Sequence, residues 1–432
     1  MTEKKDLPYI IHKGAPLYFQ PPGTWRKLTF AGVEDPSPAG DVETLTEHAL
    51  NTPVTSPPLS TLASASGKVA VLVEDLTRAS PKGRVLRSVL TALASAGVKR
   101  KHITVVMALG SHRGLTDAEL EKAFGRDLVA HYEFMNHDCH AADLIPAGQL
   151  PSGRVVRIPP EVHDADVKIG IGSIFPHPMN GFGGGGKILF PGVSDFDAIL
   201  DHHFTYTFHA GTGLGKIQGN PFYESVCAVA RSAGLDFIVN SVLDRRDHLF
   251  DVVAGDPVEA HLAGIEMSKS ILSQRFHEKS DLTLTTSFPY KEGPQIVKAL
   301  APASMVTKEG GCIILHAECD GTLPDAFIES FERFHAHYGN ALMKGVLHYF
   351  NEGRLIMAGG AIDYNMALAM TLAVMDRFHM VLVSEDIPKE TAEKMGFVYA
   401  RDLAEAFDLA GGFCTEPDVH VIPSGGVILP VV

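Results

Sequence analysis

The 432-residue sequence has no excess of basic residues, and acidic side chains outnumber basic ones. Lysine and arginine total 37 against 51 aspartates and glutamates, which gives a formal net charge of -14. Binding along a nucleic-acid backbone requires a basic surface that releases counterions. A nucleic-acid partner is therefore not expected.

Closely spaced cysteines and long apolar segments are also missing. The five cysteines are scattered without any Cys-x-x-Cys pair, which argues against a zinc site or a redox dithiol and predicts reduced thiols. The N-terminal segment MTEKKDLPYIIHKGAPLYF lacks an apolar core of signal-peptide length, and no stretch approaches the length of a membrane span. We expect a cytoplasmic protein with no membrane partner.

Three segments each consist of an apolar strand pattern followed by a polar loop. They are KVAVLVED (68–75), HITVVMALGSHRG (102–114) and DADVKIGIGSIFPH (164–177). Helical patterns follow the first two, and strands that alternate with helices indicate a parallel sheet. Ligands of such sheets bind at the carboxyl ends of the strands, so the three loops are expected to converge.

A chain of this length predicts more than one domain. Residues 235–256 read as paired strands turning at Arg245–Asp247, and a new series of strands and helices begins near residue 280. The predicted fold is two α/β domains with mainly parallel sheets, residues 1–275 and 276–432, with the active site in a cleft between them.

The segment GFGGGGKILFPGV (181–193) has the glycine and lysine spacing of a P-loop but not its chemistry. Ile188 stands where a P-loop has the hydroxyl that holds magnesium, and Pro191 interrupts the helix that should bind phosphate. What remains is a flexible backbone that can offer amide donors to an anion, followed by the amine of Lys187. Its four glycines are Gly183, Gly184, Gly185 and Gly186.

Eight segments in this order and spacing resemble the nickel-pincer lactate racemase family over residues 68–321. They are EDLTR, GSHRGLT, NHDC, IGIGSIFPHPMNGFGGGGKILFPGV, DHH, GNPFYESV, AGDPVEAHLAG and PQIVKAL. The resemblance implies a racemase or epimerase that inverts the hydroxyl-bearing Cα of a 2-hydroxy acid. The first domain would bind the cofactor and catalyse the reaction, and the second would close over the substrate.

The family's cofactor is a nickel-pincer nucleotide, a pyridinium-3-thioamide-5-thiocarboxylic acid mononucleotide installed by separate maturation enzymes. The resemblance implies its covalent attachment to Lys187, with the nickel ion bound by His203. Imidazole suits nickel, and the neighbouring His202 is the alternative ligand. The four glycines would serve the nucleotide phosphate, and Thr77 would also contact the cofactor.

Two histidines of the predicted loops, His112 and His177, match the family's acid/base pair. Histidine accepts and returns protons near neutral pH, and one base on each face of the substrate permits inversion. If this pair were not responsible, His137 and His202 would be the nearest candidates. The implied substrate-binding residues are Arg78, Asp75, Gln295 and Lys298, because a guanidinium grips a carboxylate through two hydrogen bonds and Asp75 would orient it.

Three positions depart from the family pattern. Pro294 replaces a tyrosine, Lys291 lies near a commonly acidic position and is included among the substrate-binding residues, and the only tryptophan, Trp25, lies near the N-terminus. These departures predict a 2-hydroxy acid other than lactate, larger or more anionic.

The sequence is also compatible with other functions. One is an epimerase of a sugar acid or a related hydroxyl-bearing carbon. Another is a zinc hydrolase that uses His202, His203 and His209. A non-catalytic homologue that binds a small molecule would be expected to lose at least one of Lys187, His203, His112 and His177, and all four are present. The sequence does not define the oligomeric state.

Overall fold

A computed structural model describes residues 7–32, 40–63, 67–77 and 80–432. The chain divides into two compact units, one of residues 36–271 and the other of residues 1–35 together with 272–432. Within the described ranges, no helix is both long enough and apolar enough for a membrane span.

The strands alternate with helices along most of the chain. The strands are β1 (Tyr9–His12), β2 (Ala15–Tyr18), β3 (Lys27–Phe30), β4 (Val69–Glu74), β5 (Ile103–Ala108), β6 (Glu133–Asn136), β7 (Ile145–Gln149), β8 (Val155–Ile158), β9 (Val167–Ile174), β10 (Pro176–His177), β11 (Gly181–Phe182), β12 (Phe237–Leu243), β13 (Leu249–Gly255), β14 (Ser273–Arg275), β15 (Ser280–Thr286), β16 (Thr307–His316), β17 (His379–Val383), β18 (Val398–Ala400), β19 (Asp418–Ile422) and β20 (Leu429–Val431).

The helices are α1 (Val42–Asn51), α2 (Leu59–Ala63), α3 (Lys82–Ser95), α4 (Asp117–Phe124), α5 (Arg126–His131), α6 (Pro160–His163), α7 (Phe196–Tyr206), α8 (Pro221–Ser232), α9 (Glu259–Leu272), α10 (Leu300–Val306), α11 (Asp325–Tyr338), α12 (Leu342–Asn351), α13 (Ile362–Met375), α14 (Lys389–Lys394) and α15 (Leu403–Gly411). Short 3-10 turns occupy Arg100–His102, Gly185–Ile188 and Gly293–Ala299.

The unit of residues 36–271 is built on a six-stranded sheet in the order β13-β12-β9-β4-β5-β6. All neighbours are parallel except β12 and β13, which form the predicted hairpin. All eight residues of β9 are buried, as expected for a strand covered on both faces. The three predicted strands are thus β4, β5 and β9, and they lie side by side with their carboxyl ends at one edge.

The second unit also contains a six-stranded sheet, in the order β18-β17-β16-β15-β19-β3, and all its strands are parallel. The predicted mixed α/β fold with mainly parallel sheets is confirmed.

The predicted domain division differs from the structure at the N-terminus, because β3 pairs with β19 and brings the first part of the chain into this unit. The predicted boundary at residue 275 lies close to the observed change of unit at residue 272.

Trp25 is part of the packing of this second unit. Its ring packs edge-on against Phe407 at 5.0 Å between ring centroids and lies 6.2 Å from Phe19. The single tryptophan therefore has a structural role in the cluster that covers the sheet.

Asn220 is a fully buried helix cap, and its loss should destabilise the unit of residues 36–271. Its Oδ1 accepts from the amide of Phe222 at 3.0 Å, while Nδ2 donates to the carbonyls of Met179 at 2.8 Å and Lys216 at 2.9 Å. We expect Asn220→Ala to lower the free energy of unfolding by about 3 kcal/mol, since a cap is lost and buried carbonyls lose their donor.

Urea unfolding followed by circular dichroism measures this change. Asp41→Ala is the control, because Asp41 caps α1 in the same unit at an exposed position. The control should cost only about 1 kcal/mol. Equal losses for the two variants would contradict the importance given to the buried network.

Candidate active site

The carboxyl ends of β4 and β5 bring Asp75 and His112 together. Asp75 follows β4, and its Oδ2 forms a hydrogen bond with Nδ1 of His112. The other carboxylate oxygen, Oδ1, accepts from the backbone amide of Thr77 at 3.0 Å and from its hydroxyl. Asp75, predicted to orient Arg78, therefore positions His112. Arg78 lies outside the described residues.

His177 lies at the carboxyl end of the neighbouring strand β9, in the short hairpin of β10 and β11. Its side chain is buried, and Nδ1 accepts from the backbone amides of Met179 at 3.2 Å and Asn180 at 3.1 Å. The Nζ atom of Lys187 is 3.5 Å from its Nε2. Two of the residues predicted to act together are therefore in contact.

His203 and His202 are adjacent on α7 but have different surroundings. Nδ1 of His203 donates to the carbonyl of Ile199 at 2.8 Å, so the lone pair lies on Nε2, as metal-binding histidines require. His202 is fully buried, and its Nε2 faces Ser225 Oγ at 2.7 Å and the Phe222 carbonyl at 3.2 Å. Burial holds the pKa of His202 well below its usual value. This favours His203 as the ligand and a structural role for His202.

The ring of Phe222, at the start of α8, lies beside both Lys187 and His203. Lys187 Nζ is 5.9 Å from the ring centroid, and the centroids of Phe222 and His203 are 5.0 Å apart. The residue that would anchor a cofactor and the residue that would bind its metal are therefore neighbours of the same side chain.

The four glycines before Lys187 are required first of all by the protein's own packing. A Cβ on Gly183 would lie 2.7 Å from the Phe175 ring, and a Cβ on Gly186 would lie 2.9 Å from that of Ala230. The amide of Gly183 donates to the Phe175 carbonyl at 2.8 Å. Close approach to a nucleotide phosphate is therefore not needed to explain these glycines, and their phosphate-binding role stays a prediction.

His261 and Asn240 hold this loop, and neither residue was predicted from the sequence. Nε2 of His261 donates to the Gly183 carbonyl at 2.7 Å, and Oδ1 of Asn240 accepts from the Gly185 amide at 2.9 Å. A Cβ on Gly185 would lie 2.4 Å from Nδ1 of His261, and this glycine has a φ of +60°. The sequence does contain a signal for His261, because this residue is the histidine of AGDPVEAHLAG, one of the eight segments on which the family resemblance rests.

Glu74 is a third supporting residue that was not predicted. It ends β4, and its carboxylate accepts from Ser173 Oγ of β9 at 2.8 Å and from Ser80 Oγ. The residue therefore ties the loop after β4 to the neighbouring strand. Asp75 and Thr77 lie in that loop, so Glu74 contributes to their placement.

His137, the other reserve candidate for proton transfer, has a fixed partner. Its Nε2 lies 2.9 Å from the carbonyl of Ser194, and burial lowers its pKa. These contacts favour a structural role.

The second unit contains the remaining predicted residues. Gln295 and Lys298 share the 3-10 turn Gly293–Ala299, whose three-residue period places them on one face. Gln295 Nε2 donates to Asp363 Oδ2 at 3.5 Å, and Lys298 Nζ lies 4.5 Å from the centre of the Tyr290 ring. Their substrate-binding roles stay predictions.

Lys291, which the sequence suggested as an extra positive charge for the substrate, forms an ion pair within the protein. Its Nζ is 2.9 Å from Asp320 Oδ2, and this carboxylate raises the pKa of the lysine. The charge is balanced locally at an exposed position. The ion pair weakens the argument for a more anionic substrate, which stays a prediction.

Within the described ranges, no three histidine, cysteine, aspartate or glutamate side chains come together as a metal-binding group. The zinc-hydrolase alternative requires His202, His203 and His209 as such a group. His202 instead binds Ser225 and the Phe222 carbonyl. The alternative is not supported.

Asp75, His112 and His177 thus all follow strands that end at the edge formed by β4, β5 and β9. The family model "Lactate racemase N-terminal domain" matches residues 25–215, and "Lactate racemase C-terminal domain" matches residues 277–429. The chain therefore belongs to the lactate racemase family, and it is an isomerase.

Individual relatives agree with the family models. The chain is 28% identical over 392 residues to the lactate racemase of Thermoanaerobacterium thermosaccharolyticum, covering 89% of each sequence. It is also 28% identical over 395 residues to that of Lactiplantibacillus plantarum, covering 89% of this chain and 90% of the relative.

Two solved structures share the fold. The lactate racemase apoprotein from T. thermosaccharolyticum superposes with a TM-score of 0.85 at 24% identity and 99% coverage of both chains. A structural-genomics protein from Thermotoga maritima gives a TM-score of 0.66 at 18% identity, covering 90% of this chain and 98% of that protein.

Acid should weaken the fold through His261. Burial lowers its pKa to about 4, with Lys187 contributing in the same direction and the bond to the Gly183 carbonyl opposing it. Because the unfolded chain binds this proton below a pH of about 6.5 and the folded protein does so only below about 4, stability falls as the pH falls through that window. His261 alone should remove about 2 kcal/mol of unfolding free energy between about pH 7.5 and 5.

Urea unfolding at the two pH values, compared for wild type and His261→Gln, measures this contribution. The variant should be less stable at neutral pH and should lose less stability in acid. Val239→Ala is the control. It leaves a cavity in the hydrophobic core of the unit that also contains His261, and it should lower the free energy of unfolding equally at both pH values. An unchanged acid loss in His261→Gln would contradict the assignment.

Proposed function

We propose that this isomerase inverts the hydroxyl-bearing Cα of a 2-hydroxy acid with a nickel-pincer nucleotide attached to Lys187. The observation that carries the proposal is the 3.5 Å contact between Lys187 Nζ and His177 Nε2 at the end of the fixed glycine-rich loop. It joins the implied attachment point to one of the two implied acid/base residues. The names of the relatives support the substrate class, since both are lactate racemases.

The residues present fit such a group. His203 offers an Nε2 lone pair beside the Phe222 ring that Lys187 also approaches. Among the described residues, the buried Nδ2 of Asn240 and Oδ1 of Asn180 have no hydrogen-bond partner, so polar atoms close to the loop have capacity for further bonds. Their positions beside Gly185 and His177 suit a polar group held at this loop.

When bound, the cofactor would supply a hydride acceptor and donor for the substrate Cα. This chain's residues would do the rest. His203 would hold the nickel, and His112 and His177 would exchange protons with the substrate oxygen on its two faces. Arg78, Gln295 and Lys298 would bind the substrate, with Thr77 near the cofactor. The cofactor would come from separate maturation enzymes, and a cytoplasmic location agrees with that supply.

Lys187 provides the decisive test. We expect wild-type protein coexpressed with the maturation enzymes to retain nickel through gel filtration and to racemise a 2-hydroxy acid. Lys187→Ala should do neither, because no amine remains for attachment. Lys187→Arg is the matched control, since it keeps positive charge but lacks the required nucleophile. Retained nickel and activity in either variant would contradict the proposal.

Lys291 tests the substrate separately. Because Asp320 balances its charge, Lys291→Ala should change kcat/KM by less than about threefold for a monocarboxylate and for a dicarboxylate 2-hydroxy acid, the size expected of an exposed ion pair. Initial rates with both substrates measure this. A loss of more than about tenfold confined to the dicarboxylate would restore the anionic substrate.

A further inference from the structure

The amine of Lys298 lies against an aromatic ring within the second unit. Its Nζ is 4.5 Å from the centroid of the Tyr290 ring, a distance typical of a cation–π interaction. We infer that Tyr290 is a positioning residue, whose ring holds the Lys298 ammonium group for the carboxylate of the substrate. The catalytic meaning of this contact rests on the proposed function, whereas the contact itself is a feature of the fold.

The protein's own packing fixes the ring of Tyr290. The residue is only 7% exposed, and its backbone amide donates to the Ser287 carbonyl at 2.8 Å. A Cβ on Gly426 would lie 2.6 Å from Cδ2 of the ring, so the backbone that follows β19 packs closely against it. The amide of Gly426 also donates to the Phe288 carbonyl at 2.9 Å. These bonds hold the segments on both sides of the ring together.

The backbone that carries Lys298 is restrained as well. Lys298 lies in the 3-10 turn Gly293–Ala299, which leads directly into α10, and its neighbours Val297 and Ala299 are buried. A lysine side chain loses rotamer freedom when it binds a partner. A side chain that is already held at its backbone and at its amine loses less of this freedom on binding, which favours affinity.

An aromatic ring holds an ammonium group without neutralising it. The face of the ring carries partial negative charge, but the ring has no net charge. The contact with Tyr290 therefore leaves the charge of Lys298 able to attract an anion. Lys291 differs in this respect, because Asp320 Oδ2 lies 2.9 Å from its Nζ and balances its charge. Of these two contacts, the one at Lys298 suits a lysine that binds a carboxylate.

The contact can be measured in the apoprotein, without cofactor or substrate. Reductive methylation with 13C-formaldehyde gives dimethylated lysines that keep their positive charge, and the ring current of Tyr290 should shift the methyl signal of Lys298 upfield. The signal is assigned through Lys298→Arg. Tyr290→Leu should move it downfield, and Tyr290→Phe should leave it shifted. A Lys298 signal at the same position in wild type and Tyr290→Leu would overturn the inference.

Kinetics of the loaded enzyme supply the second test. Tyr290→Leu should lower kcat/KM for a 2-hydroxy acid by about tenfold, the size of a partly desolvated cation–π contact. The loss should lie mainly in KM, because the carboxylate is bound alike in the ground state and the transition state. Tyr290→Phe keeps the ring and should stay within about twofold of wild type.

A double-mutant cycle separates positioning of Lys298 from general support of the fold. If Tyr290 acts through Lys298, Tyr290→Leu should cost less than about twofold in kcat/KM when residue 298 is already alanine. Tyr349→Leu is the matched control, because it removes a contact of the same kind in the same unit, 4.8 Å from the Tyr349 ring to Arg354, and should leave KM unchanged. A tenfold loss from Tyr290→Leu in both backgrounds would contradict the inference.

Failure of the proposed function would give a different result. A cofactor-loaded wild type that racemises no 2-hydroxy acid would contradict that function. The spectra of the methylated apoprotein would still decide whether Tyr290 holds Lys298, because they report the position of the amine whether or not the enzyme turns over.

Discussion

The attachment of the glycine-rich loop to His261 and Asn240 is the constraint on which the site depends. One residue donates to the Gly183 carbonyl and the other accepts from the Gly185 amide. Lys187 follows in the same 3-10 turn. Its side chain therefore starts from a backbone fixed by α9 on one side and β12 on the other, in a region where even a Cβ would collide.

Hydrogen bonds with backbone groups also orient the rings of His177 and His203. A histidine can act at one ring nitrogen when a hydrogen bond at the other fixes its tautomer. In His203 that bond goes to a helix carbonyl, and in His177 it comes from two loop amides. In His112 the partner of Nδ1 is the carboxylate of Asp75. The fold thus presents a different kind of atom to Nδ1 of each of these three histidines.

Much of this arrangement could be predicted because it follows strand order. The apolar runs of β4, β5 and β9 predict adjacent parallel strands, and Asp75, His112 and His177 follow these strands at the edge where they meet. β3 was assigned to the wrong unit, since a four-residue strand carries little pattern and its partner β19 lies at the other end of the chain. His261 and the partner of Lys291 were missed because their contacts depend on tertiary packing, which residue spacing does not encode.

We propose that the fixed loop presents Lys187 for covalent modification. Tandem mass spectrometry of peptides from wild-type protein, coexpressed with the maturation enzymes, tests it most directly. We predict that the added mass of the pincer nucleotide lies on the peptide with Lys187 and that fragmentation assigns it to this side chain. An adduct on another residue, or racemisation by protein whose Lys187 is unmodified, would contradict this proposal.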